Sequence, residues 1–206
     1  MSTVPVKRLT EQEYLTRERK APFKSEFYRG EMFAMAGATR EHNVIATNIS
    51  RGLGNQLTGK RCDVYQSDMK VRVAATGRFT YPDVVVACQP RQFADEQKDV
   101  LLNPTLLVEV LSDSTAGYDR GEKATDYREL PSLHEFLLVS QDQALVEHYI
   151  RQTPDTWQIT RIVGLESTVE LASIGCRLIL AEIYAEVEFP PHPRPMLRLA
   201  EEEQAE

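Results

Sequence analysis

The chain has 206 residues, 42% of them hydrophobic, and 24 Lys and Arg against 31 Asp and Glu give a formal net charge of −7. That length and apolar content suit one globular domain with appendages and a sizeable core, not two full domains. The acidity argues against a protein that coats nucleic acid non-specifically, so any nucleic-acid role must depend on local charge or a bound cation. Cys62, Cys88 and Cys176 are odd in number and lack CxxC or zinc-ligand spacing. Buried reduced thiols are therefore expected, without a disulfide framework or a structural metal site. The opening MSTVPVKRLTEQEYL has no apolar signal-peptide core, and no run approaches the ~20 apolar residues of a membrane span. The expectation is a soluble cytoplasmic protein with no membrane partner.

In chain order, LTEQEYLTRERK carries the capping-box pattern, Thr10 followed three positions later by Glu13, and predicts a short surface helix. SEFYRGEMFAMAG alternates around Arg29-Gly30 and predicts a hairpin. TREHNVIATNISRGLGNQL places Ile45, Ile49, Leu53 and Leu57 at intervals of four, a core-facing helical stripe whose first turn carries Glu41 and His42. Three strand candidates follow, CDVYQSDMKVRV, YPDVVVAC and TLLVEVLS, the latter two central. DRGEKATDYREL reads as a helix stopped by Pro131, after which HEFLLVS, ALVEHYI and TWQITRI return to strand character. STVELASIGCRLILAEIYAEV mixes a strand with a short helix. The clustered prolines and acidic end of FPPHPRPMLRLAEEEQAE predict a poorly ordered tail over 189–206. Residues 1–188 are thus expected to form a single domain of mixed α/β or α+β class, a curved mixed sheet flanked by helices.

LLVEVLS poses the chemical question, because Glu109 interrupts one face of an otherwise apolar strand. A buried ionised carboxylate must be paired, protonated or bound to a metal. Asp83 stands at the mouth of the second buried strand, straight after Pro82. If the two strands are neighbours the carboxylates converge, and a hard divalent cation such as Mg²⁺ or Mn²⁺ between them would offset their repulsion. A salt bridge to Arg or Lys, or an N-cap Asp beside a strand-edge Glu, fits the same pattern. Asp119, Lys123 and Tyr127 fall at i, i+4 and i+8 on one helical face. Lys123 there could orient an attacking water or stabilise phosphate charge, and an ordinary solvated ion-pair face is the alternative.

YPDVVVAC, then LLVEVLSDST, YDRGEKATDYREL and HEFLLVS, together resemble the Uma-type restriction-endonuclease family, a branch of the PD-(D/E)XK nuclease superfamily, from about Glu26 to Val187. The resemblance implies a restriction-endonuclease-like core and metal-dependent hydrolysis of nucleic-acid phosphodiesters. It makes Asp83 the acid of the Pro-Asp motif and Glu109 the acid usually followed two residues later by Lys. Leu111 occupies that Lys position here, and Leu can neither activate water nor hold a phosphate. Lys123, in DRGEK, matches a catalytic Lys moved onto the following helix. The superfamily's first helix often supplies a further acid near the metal, for which Glu41 and His42 in TREHN compete with Glu26 in the hairpin. Asp68 is expected to face solvent or to stand behind the site.

Other signals are weaker. RGLGNQLTG lacks phosphate-loop spacing, LSDSTAG lacks a nucleophile elbow, and His134, His148 and His192 show no ligand spacing. Lys60, Arg61, Lys70, Arg72 and Arg78 flank the strands before Asp83 and could contact phosphates, or simply be solvated. The leading reading is a divalent-metal-dependent endonuclease acting on DNA, as a homodimer when both strands are cut. An inactive nucleic-acid- or protein-binding module on the same fold, and a hydrolase of another phosphoester, are its rivals.

Overall fold

The structure, a computed structural model, describes residues 8–112 and 115–191. It opens with α1 (Glu11–Glu18), where the Thr10 hydroxyl accepts the Glu13 N–H at 3.2 Å and the Glu13 carboxylate accepts the Thr10 N–H at 2.8 Å. The predicted hairpin follows as β1 (Ser25–Tyr28) and β2 (Glu31–Ala34). Its turn puts Arg29 at φ 50° and Gly30 at φ 84°, and a Cβ on Gly30 would collide with Arg8. Next comes α2 (Arg40–Leu57), with Ile45, Ile49, Leu53 and Leu57 all buried as its stripe predicts. Burying each such side chain contributes about 1.5–3 kcal/mol.

The central region contains β3 (Cys62–Gln66), β4 (Lys70–Val73), β5 (Arg78–Thr80), β6 (Val84–Cys88), β7 (Val100–Leu101) and β8 (Leu106–Leu111). A helical segment follows, consisting of α3 (Ala116–Tyr118), a π-helical turn (Asp119–Lys123) and α4 (Ala124–Arg128). The chain continues through β9 (Glu135–Ser140), β10 (Leu145–Thr153), β11 (Thr156–Val163), β12 (Thr168–Leu171), β13 (Cys176–Ile179) and α5 (Leu180–Ile183).

The strands form a six-stranded sheet of order β11-β10-β9-β8-β6-β3, a five-stranded sheet of order β2-β1-β5-β4-β7, and the pair β12-β13. In the larger sheet β8 and β9 run parallel and the other pairs antiparallel, so the sheet is mixed. Strand alternation sorts its side chains into two layers. Val84, Val86, Leu106, Val108 and Val110 pack with the α2 stripe, whereas Val85, Leu107 and Leu111 pack with Tyr127, Leu130 and Phe136. The architecture is the mixed α+β class expected, with mixed sheets flanked by helices.

Three expectations are corrected. CDVYQSDMKVRV is not one strand: it turns at 67–69 and divides into β3 and β4, which join different sheets. The segment over DRGEKATDYREL is not a regular α-helix but contains the π turn. Cys62 and Cys88, 26 residues apart, are joined by a disulfide because the β3–β6 register sets them directly opposite; Cys176 stays free and buried. Phe189, at the start of the expected tail, packs its ring on Tyr184 at 5.2 Å, and residues 192–206 lie outside the described residues. Among the described residues no helix is long and apolar enough to cross a membrane.

Candidate active site

Asp83 and Glu109 meet because their strands are antiparallel neighbours. Val84 lies opposite Val108, so one step further along the register Asp83 comes opposite Glu109. The Asp83 carboxylate is fixed through Oδ2, which accepts the Val110 N–H at 2.7 Å and lies 3.3 Å from His42 Nε2 at the start of α2. Glu109 points away from α2 with Leu107 and Leu111, toward the helical segment after β8.

Lys123 reaches Glu109 from that segment. Its Nζ is 2.9 Å from Glu109 Oε1, 3.1 Å from Glu26 Oε1 and 3.6 Å from Asp119 Oδ1, and all four side chains are buried. Tyr127, a turn beyond Lys123, donates its hydroxyl to Glu109 Oε1. Glu26 on β1 accepts the Thr80 hydroxyl at Oε1 and the Tyr118 hydroxyl at Oε2, the latter at 3.2 Å. Behind it Arg78, fully buried, pairs with Asp126, donates to Tyr118 and stacks over the Tyr28 ring at 3.8 Å.

One ammonium among three buried carboxylates leaves excess negative charge, and the protonation equilibria reflect it. Burial, then the charges of Asp83 and Asp119, push the Glu109 carboxyl up to about 8, against the pull of Lys123 and the Tyr127 hydrogen bond. Asp119 is also raised, chiefly by burial. Burial would raise Glu26 too, but Lys123, the Thr80 hydroxyl and Arg78 outweigh it and hold Glu26 below its ordinary value. Burial works against charged Lys123, yet the surrounding acids keep its pKa well above the usual lysine range. For His42, burial is outweighed by the hydrogen bond and charge of Asp83, which raise its pKa. The cluster is therefore a cationic Lys123, an ionised Glu26 and a Glu109 that retains its proton near neutrality.

Among the described residues no three His, Cys, Asp or Glu side chains are grouped to hold a metal ion. Two carboxylates do fit one in a more open way. The bonds that fix Asp83 run through Oδ2, and Lys123 and Tyr127 both meet Glu109 at Oε1. A hard cation such as Mg²⁺ binds through one or two carboxylates and completes its shell with waters and substrate phosphate. The donor set suits it.

The structure thus brings together Asp83, Glu109 and Lys123, and adds Glu26 and His42. Glu41 is not among these contacts: half-buried in the first turn of α2, it pairs with Arg40 at 3.4 Å. Asp68, 92% exposed, faces solvent beside Lys24. The basic residues before Asp83 do not form a free row. Lys70 pairs with Asp99, Arg72 with Glu11 and Arg78 with Asp126, while Lys60 donates to the Gly175 carbonyl at 2.9 Å. Thr80 and Tyr118 escape the sequence reading, although Thr80 shares the alternation of Arg-Phe-Thr that turns Arg78 and Thr80 to one side and Phe79 into the core.

The chain is 37% identical over 172 residues to the "Uncharacterized protein sll1609" of Synechocystis sp. (strain ATCC 27184 / PCC 6803 / Kazusa), covering 84% of this chain and 97% of that one. It is 35% identical over 187 residues to "Uncharacterized protein slr1290" of the same organism, covering 91% and 97%. A crystal structure of "a putative nuclease belonging to DUF820" from Anabaena variabilis ATCC 29413 superposes with a TM-score of 0.69 over 87% of this chain and 99% of that one, at 16% identity. That likeness is one of fold. A family model described as "Uma2: Putative restriction endonuclease" matches residues 11–181, and the chain belongs to that family.

Proposed function

We propose that this chain is a divalent-metal-dependent endonuclease that hydrolyses DNA phosphodiester bonds. The observation that supports it most is the convergence of Asp83 and Glu109 from adjacent strands onto one point, with Lys123 Nζ 2.9 Å from Glu109. Asp83 and Glu109 would hold Mg²⁺ or Mn²⁺, which when bound polarises a phosphate and lowers the pKa of a water. Lys123 takes the role closed to Leu111, orienting the attacking water and stabilising charge on the phosphate. Val110 N–H and His42 fix the Asp83 carboxylate, and Tyr127 fixes that of Glu109, so little reorganisation is needed when substrate arrives. The catalytic unit would be the single domain expected over residues 1–188, and two copies would cut two strands.

The test is incubation of purified chain with supercoiled plasmid and with circular single-stranded DNA in Mg²⁺, Mn²⁺ or chelator. Cleavage in either metal that chelator abolishes is expected, and identical cleavage in chelator would overturn the metal-dependent reading. A second reading, an inactive binding module, draws on the pairing of Lys70, Arg72 and Arg78 with acids. It predicts no divalent-ion binding in titration calorimetry.

A further inference from the structure

Two partly exposed aromatic side chains, Phe33 and Tyr118, flank Glu26. Glu26 lies directly opposite Phe33 in the β1–β2 register, and directly opposed residues of an antiparallel pair share a face with Cβ atoms ~5 Å apart. The neighbouring pair confirms the sorting: Phe27 and Met32 both pack into the opposite layer, with Tyr14 and Phe79. Phe33 therefore stands on the face that carries Glu26 and Lys123, at the open edge of the five-stranded sheet, and it is 50% exposed. Across Glu26, Tyr118 is 37% exposed, its hydroxyl tethered 3.2 Å from Glu26 Oε2 and to Arg78. A solvated Phe on a short edge strand has no core to serve, while a ring tethered by its hydroxyl presents a fixed face.

We propose that Phe33 and Tyr118 form a stacking platform for an unpaired nucleobase beside the scissile phosphate, so that the preferred substrate is single-stranded or locally unpaired nucleic acid. The proposal rests on the nuclease reading and narrows its substrate. Charge supports it. Duplex binding draws on rows of unpaired Lys and Arg that release counterions, and here Lys70, Arg72 and Arg78 are held by Asp99, Glu11 and Asp126 in a chain of net charge −7. Base–aromatic stacking contributes about 1–3 kcal/mol per base whatever the base, because every base has a π-face. An unpaired base also offers a π-face that a stacked duplex base withholds.

The experiment measures fluorescence anisotropy of a labelled oligonucleotide, single-stranded or annealed to its complement, with the full chain in Ca²⁺. The parent is expected to bind the single strand more tightly than the duplex. Phe33→Ala is expected to weaken single-strand binding between about fivefold and about a hundredfold, leaving the duplex unchanged, with Phe33→Tyr restoring it. A strand carrying 2-aminopurine at the platform position should lose emission on the parent and keep it on Phe33→Ala. Tighter duplex binding, or single-strand affinity indifferent to Phe33→Ala, overturns the platform while the nuclease reading stands. Failure of the parent to bind either form overturns both.

Discussion

Lys123 Nζ stands 2.9 Å from Glu109 Oε1, reaching back from the helical segment that follows β8, while Leu111, on the same strand face as Glu109, is packed among apolar side chains. The strand thus keeps an apolar contact where a strand-borne lysine would have needed a partner, and the helix supplies the amine. The π turn ends at Lys123 and places Asp119 and Lys123 on the buried side together.

Removing that amine has a predictable cost. Lys123→Met leaves Glu26, Glu109 and Asp119 facing one another without a cation, and breaking a buried pair from one side costs about 3–5 kcal/mol. Divalent ion should recover part of the loss, so the rise in Tm on adding Mg²⁺ is expected to be larger for Lys123→Met than for the parent. Calorimetric scans with and without the ion check this; equal rises would separate the cation site from Lys123.

Glu109 gives a pH-dependent stability with a definite sign. Its carboxyl is pushed from an ordinary 4.5 up to about 8 by burial, Asp83 and Asp119. A folded pKa above the unfolded one contributes stability that is complete below about 4.5 and lost as pH rises through about 8. Glu109→Gln removes that titration. In metal-free urea unfolding, the variant should gain on the parent by a few kcal/mol between pH 5 and pH 8.5. A constant difference across the range would contradict the assignment.

The same proton must leave when a cation takes Glu109. Divalent-ion affinity should therefore rise by about tenfold per pH unit below about 8 and level off above it. Titration calorimetry in buffers of different ionisation enthalpy reads the released proton directly. Binding without proton release would place the ion elsewhere.

Tyr127 contributes a hydroxyl to Glu109 and a ring to the core, where it meets Phe136 edge-on at 6.0 Å. Tyr127→Phe keeps the ring and should cost about 1 kcal/mol. Because the hydroxyl favours the ionised carboxylate, the Glu109 midpoint should move above about 8, as followed by carbon NMR of the labelled carboxyl. An unmoved midpoint would mean that the hydrogen bond does not form in solution.

Much of this was legible because local periodicity and burial agree. The α2 stripe, the Thr10 cap, the Arg29-Gly30 turn and the strands flanking Asp83 and Glu109 each carry their signal within a few residues. Glu109 stood out because a carboxylate in an apolar strand demands a partner. What escaped depends on pairings distant in sequence. The break between β3 and β4 assigns one continuous β-rich run to two sheets, and the Cys62–Cys88 bridge exists only through the β3–β6 register. Glu26 and Glu41 had equal claims by composition; the β1–β5 pairing turned Glu26 inward with Thr80, and the position of Glu41 on α2 left it with Arg40. Lys70 and Arg72, open by composition to a solvated or a phosphate-binding role, are instead paired with Asp99 and Glu11, acids distant in sequence.

The most direct test is the initial rate of DNA cleavage by the parent, Glu109→Gln and Lys123→Met, prepared identically, in Mg²⁺ and in chelator. The account predicts cleavage by the parent in Mg²⁺ alone, none by Glu109→Gln, and a loss of roughly a hundredfold or more for Lys123→Met, the scale of one group that stabilises transition-state charge. Equal rates for Glu109→Gln and the parent would contradict the claim that this buried carboxylate is held in its strand for catalysis.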